Sequence, residues 1–377
     1  MWSNITGQNS VIEKLKSIYR SGKVAHAYLF HGMDGTGKDA AAIEFAKLLN
    51  CKNVQNGYEA CDKCGNCRNI SSLKSGYFQL ICALPAGKSD TTDSDPVEKL
   101  TGADFDLYLE QLELKAEDPY YHITLPNANN IRINSIRDLV SKIYLTVPEN
   151  HKKVFVISEA DKMRQEAANS LLKILEEPPK NSVIILTTSR LNSLPQTIIG
   201  RCQKIFFEPL TYTQVKGKLE KSAGNFTNKE IDIAASLSGG SYIKAVELLE
   251  MGVDDIRNTA IAFLIALVTD NYAETILISR TITAKNDKDK TRYFLFFLNV
   301  WFRDLLKIKY SSGNKDNPVA NSDITDRLVK FNNSYPNTDI YDIIMELEEA
   351  EKLIGQNVQL QLILITLSFK LKKLLKK

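Results

Sequence analysis

Ala27-Tyr28-Leu29-Phe30-His31-Gly32-Met33-Asp34-Gly35-Thr36-Gly37-Lys38-Asp39 is the stretch that decides the fold. It opens with an apolar run of strand type, stops at a glycine-rich turn, and leads into a helical pattern over Ala40–Leu49. Gly32 to Lys38 fit the frame G-x-x-x-x-G-K, and a strand before with a helix after is the setting that a phosphate-binding loop requires. Gly32, Gly35 and Gly37, with Thr36 among them, let the backbone aim N–H groups at phosphate oxygens, while Lys38 reaches the terminal phosphates. The next residue departs from the pattern. A Ser or Thr hydroxyl normally ligates Mg²⁺ there, and this chain has Asp39. Its longer, anionic side chain is expected to cap the N–H groups of the following helix, with metal ligation as the alternative. ATP and Mg²⁺ are accordingly expected to bind weakly or not at all.

Working outward, Val154–Ile157 and Val183–Thr187 are continuous apolar runs, as expected of strands buried on both faces, and Ile205–Phe207 is a third. Gln165–Glu177 has apolar residues at helical spacing and stops at Pro178-Pro179. Residues 1–210 therefore predict an α/β core, a parallel sheet covered by helices. The strand at 154–157 runs into Ser158-Glu159-Ala160-Asp161. A nucleotide-hydrolysing site of this kind places there an Asp that holds Mg²⁺ and then a Glu that orients the attacking water. Ser158 takes the first place, where a hydroxyl is a poor substitute for a carboxylate. Glu159 takes the second, and a catalytic and a purely structural role both stay open. Residues 85–130 are acidic and rich in Ser, Thr, Asp and Gly, with a short helical pattern near Phe105–Leu114, and suggest an insertion or loop. Beyond Thr211 no strand is convincing. Residues 211–252 suggest a small helical domain, and 253–377 an all-helical one with a polar linker near 311–321.

Cys51, Cys61, Cys64 and Cys67 have the spacing C-x9-C-x2-C-x2-C. The close triplet lets thiolates converge from a tight turn at Gly65, and Cys51 at a helix end supplies a fourth corner. Four thiolates with no open position describe a structural zinc site, against which stand free or redox-active thiols. Lys63 and Arg68 offset part of its charge. Cys82 and Cys202 stand apart and read as small buried residues.

The chain has 377 residues, too many for one core, with 44% hydrophobic and 25% charged residues. A net charge of +3 neither demands nor excludes a nucleic-acid partner. No signal peptide is evident, and the most apolar stretches, 293–302 and 360–369, fall far short of the ~20 residues needed to cross a bilayer. A soluble, cytoplasmic protein is expected. The five lysines within 370–377 read as a solvated helix end.

A glycine loop followed at once by a four-cysteine module resembles the clamp-loader branch of the AAA+ proteins of bacterial chromosome replication. So does Ala167-Ala168-Asn169-Ser170-Leu171-Leu172-Lys173-Ile174-Leu175-Glu176-Glu177-Pro178-Pro179. Thr187-Thr188 resembles the family's sensor-1 position, with Thr188 near the phosphates. Ile199-Gly200-Arg201-Cys202 resembles its Ser-Arg-Cys motif with glycine for serine. The resemblance is very specific over 1–50 and 150–210, moderate over 211–250, and faint in the last domain, near Asn357-Val358-Gln359-Leu360.

The resemblance implies an AAA+ αβα core, a helical lid and a helical collar for oligomerisation. Family members include the ATP-burning gamma/tau motor and a rigid delta-prime partner that lends an arginine to its neighbour's ATP site. Asp39, Ser158 and Ile243, which stands where the motor has a sensor-2 arginine, fit the second kind. Arg201 is then the finger that acts in trans on a neighbour's γ-phosphate; an ordinary surface arginine is the alternative. Implied partners are the gamma/tau and delta subunits, primed DNA within the assembly and, indirectly, the sliding clamp. Arg132, Arg137 and Lys142 read more simply as a solvated helix face than as DNA contacts. Two rival functions remain at this stage: a slow ATPase of gamma/tau type, with Asp39 holding Mg²⁺, and an AAA+-like binding module outside replication.

Overall fold

The computed structural model describes residues 2–85, 96–146, 148, 151–222, 224, 226–310, 319–356 and 358–375. Residues 86–95 of the expected insertion, 311–318 of the expected linker, Asn357 and the last two lysines lie outside them. The chain runs α1 (Asn9–Arg20), β1 (Ala27–His31), α2 (Lys38–Asn50), α3 (Gly65–Ser71), β2 (Phe78–Ile81), α4 (Gly102–Glu117), α5 (Ile133–Ile143), β3 (Lys153–Ile157), α6 (Gln165–Glu176), β4 (Ser182–Thr188), α7 (Gln196–Ile199) and β5 (Gln203–Phe206). It continues through α8 (Tyr212–Ser222), α9 (Asn228–Leu237), α10 (Tyr242–Glu250), α11 (Val253–Val268), α12 (Tyr272–Ile282), α13 (Lys288–Tyr310), α14 (Thr325–Ser334), α15 (Ile340–Gly355) and α16 (Leu360–Leu375). It divides into two compact units, Met1–Lys218 with Gly239–Lys244, and Leu219–Ser238 with Ala245–Lys377.

The first unit holds a five-stranded parallel sheet in the order β2-β3-β4-β1-β5. Leu29 pairs with Leu186 on one side and with Lys204 on the other, so the strand that feeds the glycine loop is internal to the sheet. Side chains alternate across it, as the two-residue period of a strand requires. Ala27, Leu29, Phe155, Ile157, Ile184 and Leu186 pack with Ile136, Leu139, Leu171 and Leu175 of α5 and α6. On the opposite face Tyr28 meets Phe45 of α2 edge-on at 5.7 Å, and Phe30 meets Phe207 at 5.2 Å. Helices on both faces explain why β1, β3 and β4 read as unbroken apolar runs. The edge strand β2 gave no such signal: it is four residues long, includes Gln79, and pairs only with β3.

All strands point the same way, so their carboxyl ends bring Gly32, Ser158 and Thr188 to one edge, where ligands of open α/β sheets bind. The helix within the insertion is longer than its sequence pattern suggests, at 16 residues, with Thr101 accepting a cap hydrogen bond from the Asp104 N–H. Tyr108 and Leu100 pack with Cys82, Leu84 and Leu125 just beyond β2, which anchors α4 to the sheet edge.

In the second unit the described residues form helices only. Phe263 and Phe294 make an edge-on contact at 5.2 Å between α11 and α13. The buried Asp304 carboxylate accepts from the Ala320 N–H and from the Asn321 N–H and amide, at 2.8–2.9 Å. Among the described residues no helix is long and apolar enough to cross a membrane.

Leu29 is fully buried at the middle of β1, an internal strand of the sheet. Leu29→Ala is expected to lower the stability of the first unit by about 2–5 kcal/mol in chemical denaturation; a change under about 1 kcal/mol would contradict this packing.

Candidate functional site

The glycine loop has the shape its sequence implies. Gly32, Gly35 and Gly37 have φ of 146°, 72° and 92°, which side chains rarely adopt. A Cβ on Gly32 would lie 2.2 Å from the Phe207 carbonyl oxygen, so no other residue fits there. Lys38, however, bonds to its own loop: its ammonium donates to the carbonyls of Gly32 and Met33 at 2.8 and 2.7 Å. Burial pushes its pKa down, and nearby Asp34 and Asp39 offset part of that effect. Thr36 is fully buried, with its hydroxyl on the Met33 carbonyl at 2.8 Å.

Asp39 does not cap α2. The capping position belongs to Gly37, and no side chain caps there. As the second residue of α2, Asp39 turns toward the sheet, where stronger partners wait. Its carboxylate receives the Lys115 ammonium at 2.9 Å and the hydroxyls of Ser158 and Thr187 at 2.8 and 2.7 Å. Burial alone would raise its pKa, but the ammonium and the two hydroxyls outweigh it and hold the carboxyl well below the usual range. Lys115 comes from α4, inside the insertion, and donates a second bond to the Tyr121 carbonyl at 2.7 Å.

Glu159 sits at the end of β3 in left-handed backbone, φ 52°. Its carboxylate is held by His122 at 3.0 Å and Lys162 at 2.8 Å. Burial works to raise its pKa, and these two partners bring it below the ordinary value. Thr188 hydrogen bonds to Asp161 at 2.6 Å, so its hydroxyl is turned to the acidic motif, while Thr187 beside it faces Asp39.

The insertion also covers the loop. A Cβ on Gly37 would lie 2.5 Å from the Tyr120 hydroxyl, which in turn accepts from the Thr6 N–H at 2.9 Å. The Lys218 ammonium lies 4.1 and 4.2 Å from the ring centres of Tyr120 and Tyr242, a cation between two aromatic faces. The Tyr242 N–H donates to the Gly35 carbonyl at 3.3 Å. What remains between loop and insertion is a cavity of about 40 Å³ lined by Lys38, Asp39, Lys115, Tyr120, His122 and Glu159, among others. A water needs ~10–15 Å³ by the same measure, so the space has room for a few waters. In this arrangement Lys38 and Asp39, the residues expected to meet phosphate and Mg²⁺, are engaged by the chain's own groups.

Arg201 follows α7 and does not line this cavity; it is partly exposed, with its guanidinium on the Glu176 carboxylate and on the Thr197 carbonyl at 2.8 Å. Arg137 is exposed on α5, whereas Lys142 pairs with Asp138 at 2.8 Å. The thiol sulfurs of Cys51, Cys61, Cys64 and Cys67 converge within 4.8 Å of one another and could hold a metal ion. Backbone N–H groups of Cys61 and Cys64 point at the sulfurs of Cys51 and Cys61 at 3.2 and 3.3 Å, which suits thiolate character. Cys82 and Cys202 are buried, with both thiols pushed up to about 12 by burial, and are inert.

Lys115, Tyr120 and His122 are the site residues that sequence reasoning missed. One signal was present: Lys115 is the lone cation of α4, among Asp104, Asp106, Glu110, Glu113 and Glu117.

The hydrogen bond to Glu159 raises the pKa of His122 above its ordinary 6.5 against the opposing effect of burial. A raised pKa stabilises the fold fully below the ordinary value, and that contribution fades as pH rises through the folded one. His122 is expected to titrate above 6.5 by NMR, and Glu159→Gln to bring it down. An imidazole that titrates below 6.5 in the unaltered chain would contradict the pair.

A family model described as DNA polymerase III, delta subunit, matches residues 7–211. DNA polymerase III subunit delta' of Bacillus subtilis (strain 168) is 32% identical over 212 residues, covering 56% of this chain and 51% of that protein. Subunit tau of the same organism is 28% identical over 256 residues, covering 67% of this chain and 38% of that one. The chain thus matches about half, or less, of the length of these curated relatives. A solved gamma subunit-related protein of Thermotoga maritima aligns over 97% of this chain and 99% of its own, with a TM-score of 0.40 and 14% identity. The family match takes in more than half of the chain, from the first helix to the last strand of the sheet, and this chain belongs to the family described as DNA polymerase III, delta subunit.

Proposed function

We propose that this chain is a non-motor subunit of a replicative clamp loader, of delta-prime type, built as an AAA+ core over residues 1–210, a lid over 211–252 and a collar over 253–377. It assists ATP-driven loading of the sliding clamp onto primed DNA, alongside gamma/tau and delta subunits, in the cytoplasm. The observation that carries this reading is the direct hydrogen bond between Asp39 and Ser158, at 2.8 Å. Those two positions are the ones a hydrolysing loop would use to hold Mg²⁺, and here they bind each other. Glu159, tied to His122 and Lys162, is then structural, and the glycine loop is kept as architecture.

Arg201 supplies the functional group. Its partner Glu176 is half-exposed, so the ion pair is weak and exchangeable, and the guanidinium is free to move to the γ-phosphate of a neighbouring subunit. There it would stabilise charge that develops in the transition state. The four cysteines suit zinc: a tetrahedral site with Zn–S of about 2.3 Å requires sulfurs ~3.8 Å apart, within reach of the observed cluster. With no open ligand position, such an ion would staple the chain between α2 and α3 and take no part in chemistry.

Three measurements test this. In a reconstituted assembly, Arg201→Ala is expected to leave complex formation intact and to lower ATP turnover by at least ~10-fold; unchanged turnover would remove the finger. The isolated chain is expected to show no turnover, and hydrolysis that Lys38→Ala abolishes would overturn the non-motor reading. Metal analysis is expected to find about one zinc per chain, lost with Cys64→Ser and Cys67→Ser; folded, metal-free protein would contradict the zinc assignment.

A further inference from the structure

We propose that Lys115 is a resident cation, an ammonium carried by the chain itself that occupies the divalent-ion position of the glycine loop and holds the loop in its closed shape without nucleotide. This deepens the non-motor reading and rests on it: a subunit that stays constant through a neighbour's ATP cycle needs a permanent ligand where a motor has an exchangeable one.

The case begins with charge. Asp39 places a carboxylate at the first turn of α2, deep against the ends of β3 and β4. An unpaired carboxylate in that position is strongly unfavourable, so a cation must accompany it. A divalent ion would need several oxygen lone pairs at ~2.0–2.1 Å in octahedral array. With Lys115 in place the position is taken: Asp39 Oδ2 already accepts from the ammonium and from the Ser158 hydroxyl, and Oδ1 from the Thr187 hydroxyl. An ammonium suits the position better, since it has donors and the cage offers acceptors. Lys115 Nζ bonds Asp39 at 2.9 Å and the Tyr121 carbonyl at 2.7 Å, and its side chain is 4% exposed.

Delivery of that ammonium is built in. Leu100 and Tyr108 fix α4 against Cys82 and Leu84, so Lys115, two turns beyond Tyr108 on the same helix, arrives at the carboxyl end of the sheet. Tyr120 follows and lies against Gly37, leaving no room for a Cβ there. Lysine for the metal and tyrosine over the loop come from one segment, which acts as an intramolecular substitute for a bound ligand.

The test uses the purified full chain in Chelex-treated buffer, which keeps tightly held zinc in place. Lys115→Ala leaves the Asp39 charge without its partner. The melting temperature is expected to fall by at least ~5 °C. Millimolar Mg²⁺ or Mn²⁺ is expected to restore at least half of the loss, and Mn²⁺ electron paramagnetic resonance to find bound ion in the variant and none at this position in the unaltered chain. The double variant Lys115→Ala/Asp39→Ser, which removes both charges, is expected to regain stability without added ion and to lose the response. Where alanine prevents purification, Lys115→Met keeps the apolar stem and carries the same comparison. A single variant with unaltered melting temperature, or one that recovers less than half of its loss with either ion, would overturn the resident cation. That result leaves the non-motor reading standing, whereas ATP turnover by the lone chain defeats the non-motor reading and leaves the ion response to be read on its own.

Discussion

A largely buried carboxylate beneath the glycine loop is the constraint around which the first unit is organised. Asp39 cannot face the ends of β3 and β4 without a counter-charge, and Lys115 at 2.9 Å provides it. Tyr108 and Leu100 hold α4 at the sheet edge, and that placement brings the lysine there. It also fixes the approach of Tyr120 to Gly37, since the chain must turn back directly after α4. A pair of this kind adds little net stability over an apolar pair of similar size, but removing one partner is costly. Its effect is therefore to specify one arrangement of loop, helix and strand ends.

Much of this was legible in the sequence, and what was not has a common cause. Continuous apolar runs revealed β1, β3 and β4, because strands buried on both faces are mostly apolar along their length. The edge strand β2 carries no such constraint and stayed hidden. The glycine loop and the four cysteines were readable because their chemistry is local, set by spacing along the chain. Asp39 was recognised as a departure, yet its role as a helix cap was mistaken. The side chain's true partners lie 76, 119 and 148 residues away, at Lys115, Ser158 and Thr187, and no local pattern announces them. His122 went unassigned for the same reason: its partner Glu159 meets it only through the fold.

The distribution of paired and exposed groups separates two roles within one unit. Lys38, Asp39, Lys115, Glu159 and His122 satisfy each other or their own backbone around a small cavity. The Arg201 side chain, 36% exposed, pairs with a Glu176 side chain that is 51% exposed, a surface ion pair that adds little stability. The inward groups are tied to one another, whereas the Arg201 side chain is partly open to solvent. The thiol cluster stands apart from these groups and joins the end of α2 to α3.

Equilibrium binding of nucleotide to the unaltered chain tests this picture most directly, because it asks whether the loop still has a vacancy. Isothermal titration of the purified full chain with Mg·ATP is expected to show no saturable binding up to about 1 mM ligand. Saturable binding at micromolar concentration, lost in Lys38→Ala, would mean that Lys115 and Tyr120 yield to nucleotide, and would contradict a cleft closed by its own chain.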